Sequence, residues 1–215
     1  MGGTCGILGA TQEVRRKRNI RMPSHHTPAV VVCPRVVEQF LDTAMPVYET
    51  LTPEHPLPCF AVLLGQFTPA AIHVRRLAFG ANARTTSRAA IEEFATTIVP
   101  KFGSAYENTD RGYWLDPADL LRINREAEQT GMDILGSIHM HPDWHRITRK
   151  EAERACTLSS RPTLMDKHVF AEAGWPVNII CYLEQVNGLT SYNIEAWDPS
   201  GALLPLRTSV RAVAA

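Results

Sequence analysis

His139-Met140-His141-Pro142 places two imidazoles at positions i and i+2. In an extended chain such a pair lies on one side, because strand side chains alternate with period two. Two imidazoles on one face supply two of the roughly four ligands that Zn²⁺ takes. Downstream, Pro162-Thr163-Leu164-Met165-Asp166 sets a hydroxyl three residues before a carboxylate. That spacing also suits an N-cap threonine on a helix that begins near 164. His145 follows His141 by four, a spacing that would let the pair share a metal on a helix, although Pro142-Asp143 between them favours a turn. His168 reads as a surface residue or one lying behind the ligands. Cys156 has no histidine placed to activate it, and His25-His26 reads as exposed tail.

The elements that position these residues follow from periodicity. Ala29–Cys33 is a short β-branched strand, and Pro34 opens a helix whose Val36, Val37, Phe40, Leu41, Ala44 and Met45 share one face until Pro46 stops it. Residues 50–58 hold three prolines and form a loop. Phe60–Phe67 and Ile72–Phe79 are strands joined near Thr68-Pro69 as a hairpin. Residues 80–112 are ambiguous, with Ser87–Val99 readable as a helix and Gly103–Gly112 as polar loop. Asp116 caps a helix with Pro117 at its first position; Leu120, Ile123 and Ala127 form its apolar stripe, and Gly131 ends it. Asp133–His139 is a strand leading into the histidines. Val177–Leu183, Leu189–Trp197 and Leu203–Val210 read as later strands. Helices and strands alternate early and strands dominate late, which predicts an α/β (α+β) fold with a single mixed sheet flanked by helices.

Composition narrows the classes. The chain has 215 residues, 22 basic against 22 acidic, and 45% hydrophobic content. A neutral balance argues against a dedicated nucleic-acid binder. No apolar run approaches the roughly 20 residues of a membrane span, and no secretory signal is evident. Five scattered cysteines without a C-x-x-C pair suit a reducing cytoplasm. Residues 1–28 carry five of the basic side chains before Met22 and no periodicity, and read as a flexible basic tail ahead of one domain spanning 29–215. A phosphate-contacting arm is the sharper reading of that tail.

Taken together, His139, His141, Pro142, Thr163 and Asp166 resemble the JAMM (MPN-plus) metallopeptidase signature, H-x-H-P followed by S-x-x-D. Trp114-Leu115-Asp116-Pro117, Asp133-Ile134-Leu135-Gly136 and Ala173-Gly174-Trp175-Pro176 agree with that family's approach to and return from its metal. The resemblance covers roughly residues 30–200. It implies an MPN/JAMM-like, cytidine-deaminase-like architecture in which His139, His141 and Asp166 hold Zn²⁺, with Fe²⁺ the less favoured metal for such a set. It further implies a zinc-dependent hydrolase cleaving an amide or isopeptide bond. The bond would lie at the C-terminal tail of a ubiquitin-like or sulfur-carrier protein, or in a small-molecule amide, and a homodimer is compatible with it.

Two departures stand out. Residues 142–165 separate the second histidine from the aspartate, where the family has about ten, so an insertion occupies about 143–161, including Trp144, His145 and a helix predicted over Thr148–Thr157. Trp144 and His145 are therefore candidate substrate-binding residues. The family also places a catalytic glutamate about seven residues before the glycine closing its early strand. Counting back from Gly65 reaches Pro58, and the nearest carboxylate is Glu54, with Glu49 beyond it. Three outcomes stay open: Glu54 acts as general base, another carboxylate substitutes, or hydrolysis is lost. In the first, metal-bound water with its pKa lowered toward ~7 loses its proton to Glu54, and Thr163 donates to the oxyanion. In the last, the chain is a catalytically inactive MPN-type binding or scaffold domain. Other H-x-H families fit less well: a histidine-triad hydrolase needs a third His at 143, where Asp143 stands, and zinc deaminases need H-x-E with P-C-x-x-C.

Overall fold

A computed structural model describes residues 28–147 and 161–208. The expected tail, the Thr148–Thr157 helix and Cys156 lie outside the described residues, as do the side chains of Trp144 and His145. The chain forms a mixed α+β fold built on one large sheet. β1 (Ala29–Val32) leads into α1 (Pro34–Thr50), then the hairpin β2 (Phe60–Phe67) and β3 (Ala71–Ala78). A broken helical stretch follows: α2 (Arg88–Glu93), a π-helical turn over Phe94–Ile98, and α3 (Val99–Phe102), with a 3₁₀ turn at Ser104–Glu107. Next come α4 (Pro117–Gln129), β4 (Asp133–Pro142), α5 (Trp144–Ile147) and α6 (Leu164–Ala173). The chain then runs through β5 (Val177–Val186), β6 (Leu189–Trp197), β7 (Leu203–Leu204) and β8 (Leu206–Thr208).

The strand order is β7-β6-β5-β4-β2-β3-β1-β8. β4 runs parallel to β5, and β1 runs parallel to both β3 and β8, while the remaining pairs are antiparallel. β7 and β8 sit at opposite edges yet are separated in sequence by Pro205 alone. Leu204 pairs with Ala196 and Leu206 with Val30. Two residue steps span at most about 7 Å, so the two edges of the sheet must meet there. The sheet is therefore nearly closed. Of the expected strand Leu203–Val210, Ser209 and Val210 lie outside the described residues, and the rest is split at Pro205, which lacks the N–H a continuous ladder requires.

One sheet face packs around α1. Val36, Val37, Phe40, Ala44 and Tyr48 meet Val30, Leu63, Val74, Leu135, Ile138, Ile179 and Cys181 in the largest apolar cluster. The other face carries α4, whose Leu120, Ile123 and Ala127 cover Val62 and Leu64, and α6, whose Phe170 covers Ile180 and Tyr182. α4 follows its sequence signals closely: Asp116 accepts from Ala118 N and Asp119 N, and Gly131 takes a φ of 65° just beyond the helix.

α1 departs from expectation. Pro46 lies inside the helix, which continues to Thr50. An internal proline costs about 3 kcal/mol. It sits on the exposed face here, as does Asp42, whose carbonyl it leaves to water. Continuing the helix buries Tyr48 completely and lets its hydroxyl donate to Asp143 Oδ2 at 2.9 Å. Burying about 150–250 Å² of tyrosine at about 25 cal/mol/Å² is worth up to about 4–6 kcal/mol, so packing outweighs the proline.

Candidate metal centre

β4 does not alternate uniformly, and its irregularity decides which way the histidines point. Leu63 pairs with Gly136 and Leu64 with Ile134, so Leu135 is an extra residue: a β-bulge. Ile134 faces α4, and Leu135 packs in the α1 core. Beyond the bulge the phase is reset, with Ile138 and Met140 in the α1 core and Ser137, His139 and His141 on the face that carries α4 and α6. Gly136 permits this. A Cβ at 136 would stand 1.5 Å from the carbonyl oxygen of Val177 on β5. The strand is also longer than the sequence suggested and runs to Pro142, so both histidines lie within it, each paired to β5.

α6 brings the third group. Thr163 is its N-cap and Asp166 sits in its first turn in a reciprocal capping box. Thr163 Oγ1 accepts from Asp166 N (3.2 Å) and donates to Asp166 Oδ2 (2.7 Å), to which Thr163 N also donates (2.6 Å). The Asp166 carboxylate is thereby clamped over β4, with Oδ1 3.3 Å from His139 Nε2 and Oδ2 3.2 Å from His141 Nε2. The two Nε2 atoms are 3.1 Å apart. His139, His141 and Asp166 are the one group of this kind among the described residues.

The donor set fits a metal. Ligands about 2.0–2.1 Å from a tetrahedral Zn²⁺ stand about 3.3–3.4 Å from one another, and an octahedral ion of that radius would bring them to about 2.8–3.0 Å. The two Nε2 atoms at 3.1 Å, each with an Asp166 oxygen within 3.3 Å, are close enough for one ion to reach all three side chains. Ligation needs neutral imidazole and ionised carboxylate. Burial holds the His139 imidazolium below its ordinary range, opposed by the Asp166 carboxylate. Burial pushes the Asp166 carboxyl up, but His141 and His139 together outweigh it and hold it well below the usual carboxylate range.

The triad opens onto a cavity of about 180 Å³. Its walls are largely apolar, with Leu57, Pro58, Phe60, Tyr113, Met165 and Phe170, and Tyr106 and Arg111 reach it from the loop after α3. Cys59 also lines it, but burial pushes that thiol up to about 11, so it is no nucleophile at neutral pH.

The other expected site residues fall differently. Glu54 is exposed and does not line the cavity; its backbone carbonyl accepts from Asn108 Nδ2 at 3.0 Å, and Pro53, Pro56 and Pro58 stiffen the segment around it. Pro58 itself lines the cavity, at the position where the resemblance expected a glutamate. Thr163 lines the cavity too and donates to Asp166 Oδ2, which makes it a positioning group for that carboxylate. The backbone at Trp144 and His145 is helical. His168 lies on α6 near Phe102, with its Nδ1 3.4 Å from Lys101 Nζ.

Sequence reading missed Tyr106, Arg111 and the residue that organises them, Arg84. No periodicity marks the 103–112 loop, and an arginine four residues before a helix carries no signal of burial. Arg84 is nonetheless 5% exposed, lies over the Phe94 ring at 3.9 Å and donates to the carbonyls of Tyr106, Asn108 and Arg111. Burial lowers its guanidinium to about 10. Sequence reading also passed over Glu195. Through Ile180, register carries it onto the same face as His139, two strands away. Its Oε2 is buried without a hydrogen-bond partner, and burial raises its carboxyl, yet it does not line the cavity.

No protein-family model matches the chain, and no characterised protein matches it in sequence. Among solved structures it is similar to the solution structure of protein DSY2949 from Desulfitobacterium hafniense, at 13% identity and a TM-score of 0.45, over 84% of this chain and 92% of that one. A likeness at that level assigns no function.

Proposed function

We propose that this chain is a metal-dependent hydrolase of amide-type bonds with an MPN/JAMM-like architecture, holding Zn²⁺ on His139, His141 and Asp166. Two imidazole nitrogens 3.1 Å apart, each within 3.3 Å of an Asp166 carboxylate oxygen at the mouth of an apolar cavity, carry this reading. When bound, the metal would act as a Lewis acid and lower the pKa of water. The chain's own groups do the rest. Thr163 and the α6 N-terminus fix Asp166 in one orientation, and the β4 pleat fixes the imidazoles. Met165, Phe60 and Phe170 exclude bulk water. Hydrolysis adds water across the C–N bond: the acyl carbon gains oxygen and the leaving nitrogen gains a proton. The substrate is an isopeptide or peptide at the tail of a ubiquitin-like or sulfur-carrier protein, or a small amide. A cytoplasmic setting fits the free thiols of Cys33, Cys59 and Cys181. No helix among the described residues is long and apolar enough to cross a membrane.

A second reading is a metal-binding interaction domain without hydrolytic activity. It is favoured by the absence, among the described residues lining the cavity, of any carboxylate besides Asp166.

Elemental analysis of the purified chain beside Asp166→Ala tests the centre. About one zinc per chain in the wild type and none in the variant is the expected result. Metal content indifferent to Asp166 would discard the centre. Zinc-loaded protein that cleaves no amide, including ubiquitin-like C-terminal tails, would favour the interaction domain.

A further inference from the structure

Arg111 is the one lysine or arginine lining the cavity among the described residues. It forms no ion pair with a described carboxylate, and the adjacent Asp110 is engaged at 2.8 Å by His55 Nδ1. Its guanidinium lies 5.3 Å from the Tyr106 ring. A guanidinium has five N–H donors in a planar fork, and one phenol oxygen can accept at most two of them. Donors therefore remain for a ligand, beside largely apolar walls.

Position ties this cation to the triad. Arg111, Tyr106, Thr163 and Asp166 line one cavity, and Thr163 Oγ1 lies 2.7 Å from Asp166 Oδ2. Sharing a cavity of about 180 Å³ puts the guanidinium on the order of 10 Å from the carboxylate ligand at most. Extended peptide spans about 3.3–3.6 Å per residue, so two or three residues bridge the gap.

The loop is also held in advance of any ligand. Arg84, buried under Phe94, ties down three carbonyls of the segment that carries Tyr106 and Arg111. Ordering this loop is then no part of the binding cost.

We infer that Arg111 anchors a free carboxylate of the substrate, so that the site takes amides bearing a carboxylate within two or three residues of the scissile bond. This rests on the hydrolase reading for the bond cleaved, but not for the anchoring itself. Arg84 and Tyr106 are positioning residues for the anchor.

The test compares binding of N-benzoylglycine and of its primary carboxamide to the full chain, by calorimetry, in zinc-loaded and chelator-stripped protein. Stripped protein is essential because a bound metal would itself take a carboxylate. The stripped wild type is expected to bind the acid about 10- to 150-fold more tightly than the carboxamide, the effect of a charge-assisted hydrogen bond. Arg111→Gln removes that preference and Arg111→Lys keeps part of it. Melting curves for both Arg111 variants check that they are folded. A preference that appears only with zinc, is absent from stripped protein, or survives Arg111→Gln overturns the proposal. Retention of the preference in a protein that cleaves no amide would sink the hydrolase reading and leave the anchor standing.

Discussion

Thr163 and Asp166 serve the fold and the centre with the same hydrogen bonds. The threonine hydroxyl satisfies the Asp166 N–H at the start of α6, and its proton holds the carboxylate oxygen nearest His141. Groups behind a metal ligand commonly contribute 10–100-fold to affinity, and a hydroxyl N-cap contributes about 0.5–2 kcal/mol to stability. Thr163→Ser should therefore behave as the wild type. Thr163→Val should lose about 1 kcal/mol in urea unfolding and weaken zinc about 10- to 100-fold in a chelator competition. A valine variant that binds zinc with wild-type affinity would show that Asp166 needs no support. Histidines at i and i+2 and a hydroxyl three before a carboxylate were legible without any fold, because both spacings are local geometry.

At the scale of elements, the β4 bulge is the decisive feature. A one-residue change of phase turns every later side chain to the opposite face. With uniform alternation after Leu135, His139 and His141 would have pointed into the α1 core, among Leu63 and Ile179. Gly136 makes the bulge compatible with the parallel ladder to β5, since its α-carbon lies against the Val177 carbonyl. Gly136→Ala meets backbone there, not a movable side chain. It should cost more than about 4 kcal/mol, seen as a collapse of the thermal transition or failure to recover folded protein. A variant that melts within a few degrees of the wild type would contradict this account of the bulge. The glycine was visible in the sequence, but nothing local says that it resets the phase.

At the scale of the whole molecule, buried protonated groups set an alkaline limit. Burial, with Asp143 beside it, pushes the Tyr48 phenol from 10.0 up to about 12, and burial pushes the Cys59 and Cys181 thiols from 9.0 up to about 11 and about 12. Below pH 9 the folded and unfolded chains hold these protons alike. As pH rises from 9 toward 12 the unfolded chain releases them first, so it binds fewer protons and folding stability falls. Urea midpoints should be flat with respect to these groups near pH 8 and decline steeply above 9, by about 5–10 kcal/mol in all before pH 12. Tyr48→Phe should soften the decline above pH 10. A midpoint that rises over that range would contradict the burial of these groups. Closure of the sheet belongs to this scale too: Leu204 and Leu206 clasp opposite edges across one proline, which also protects both from further pairing.

Sequence by itself determined what depends on neighbours along the chain. The α4 stripe and caps, the β2–β3 hairpin, the paired histidines and the Thr163 cap all follow from periods of 3.6 and 2.0 and from residue chemistry at helix ends. Tertiary structure alone decided the rest. It carried the α1 helix through Pro46 because Tyr48 gains more from burial than the proline costs. It left Glu54 outside the cavity and set Tyr106 and Arg111 within it, through a buried Arg84 whose partners lie 22 to 27 residues away. It brought Asp166 back across the long 142–165 segment to His139 and His141. Such meetings are settled by which surfaces can be buried together, a property of the packed chain that no local spacing records.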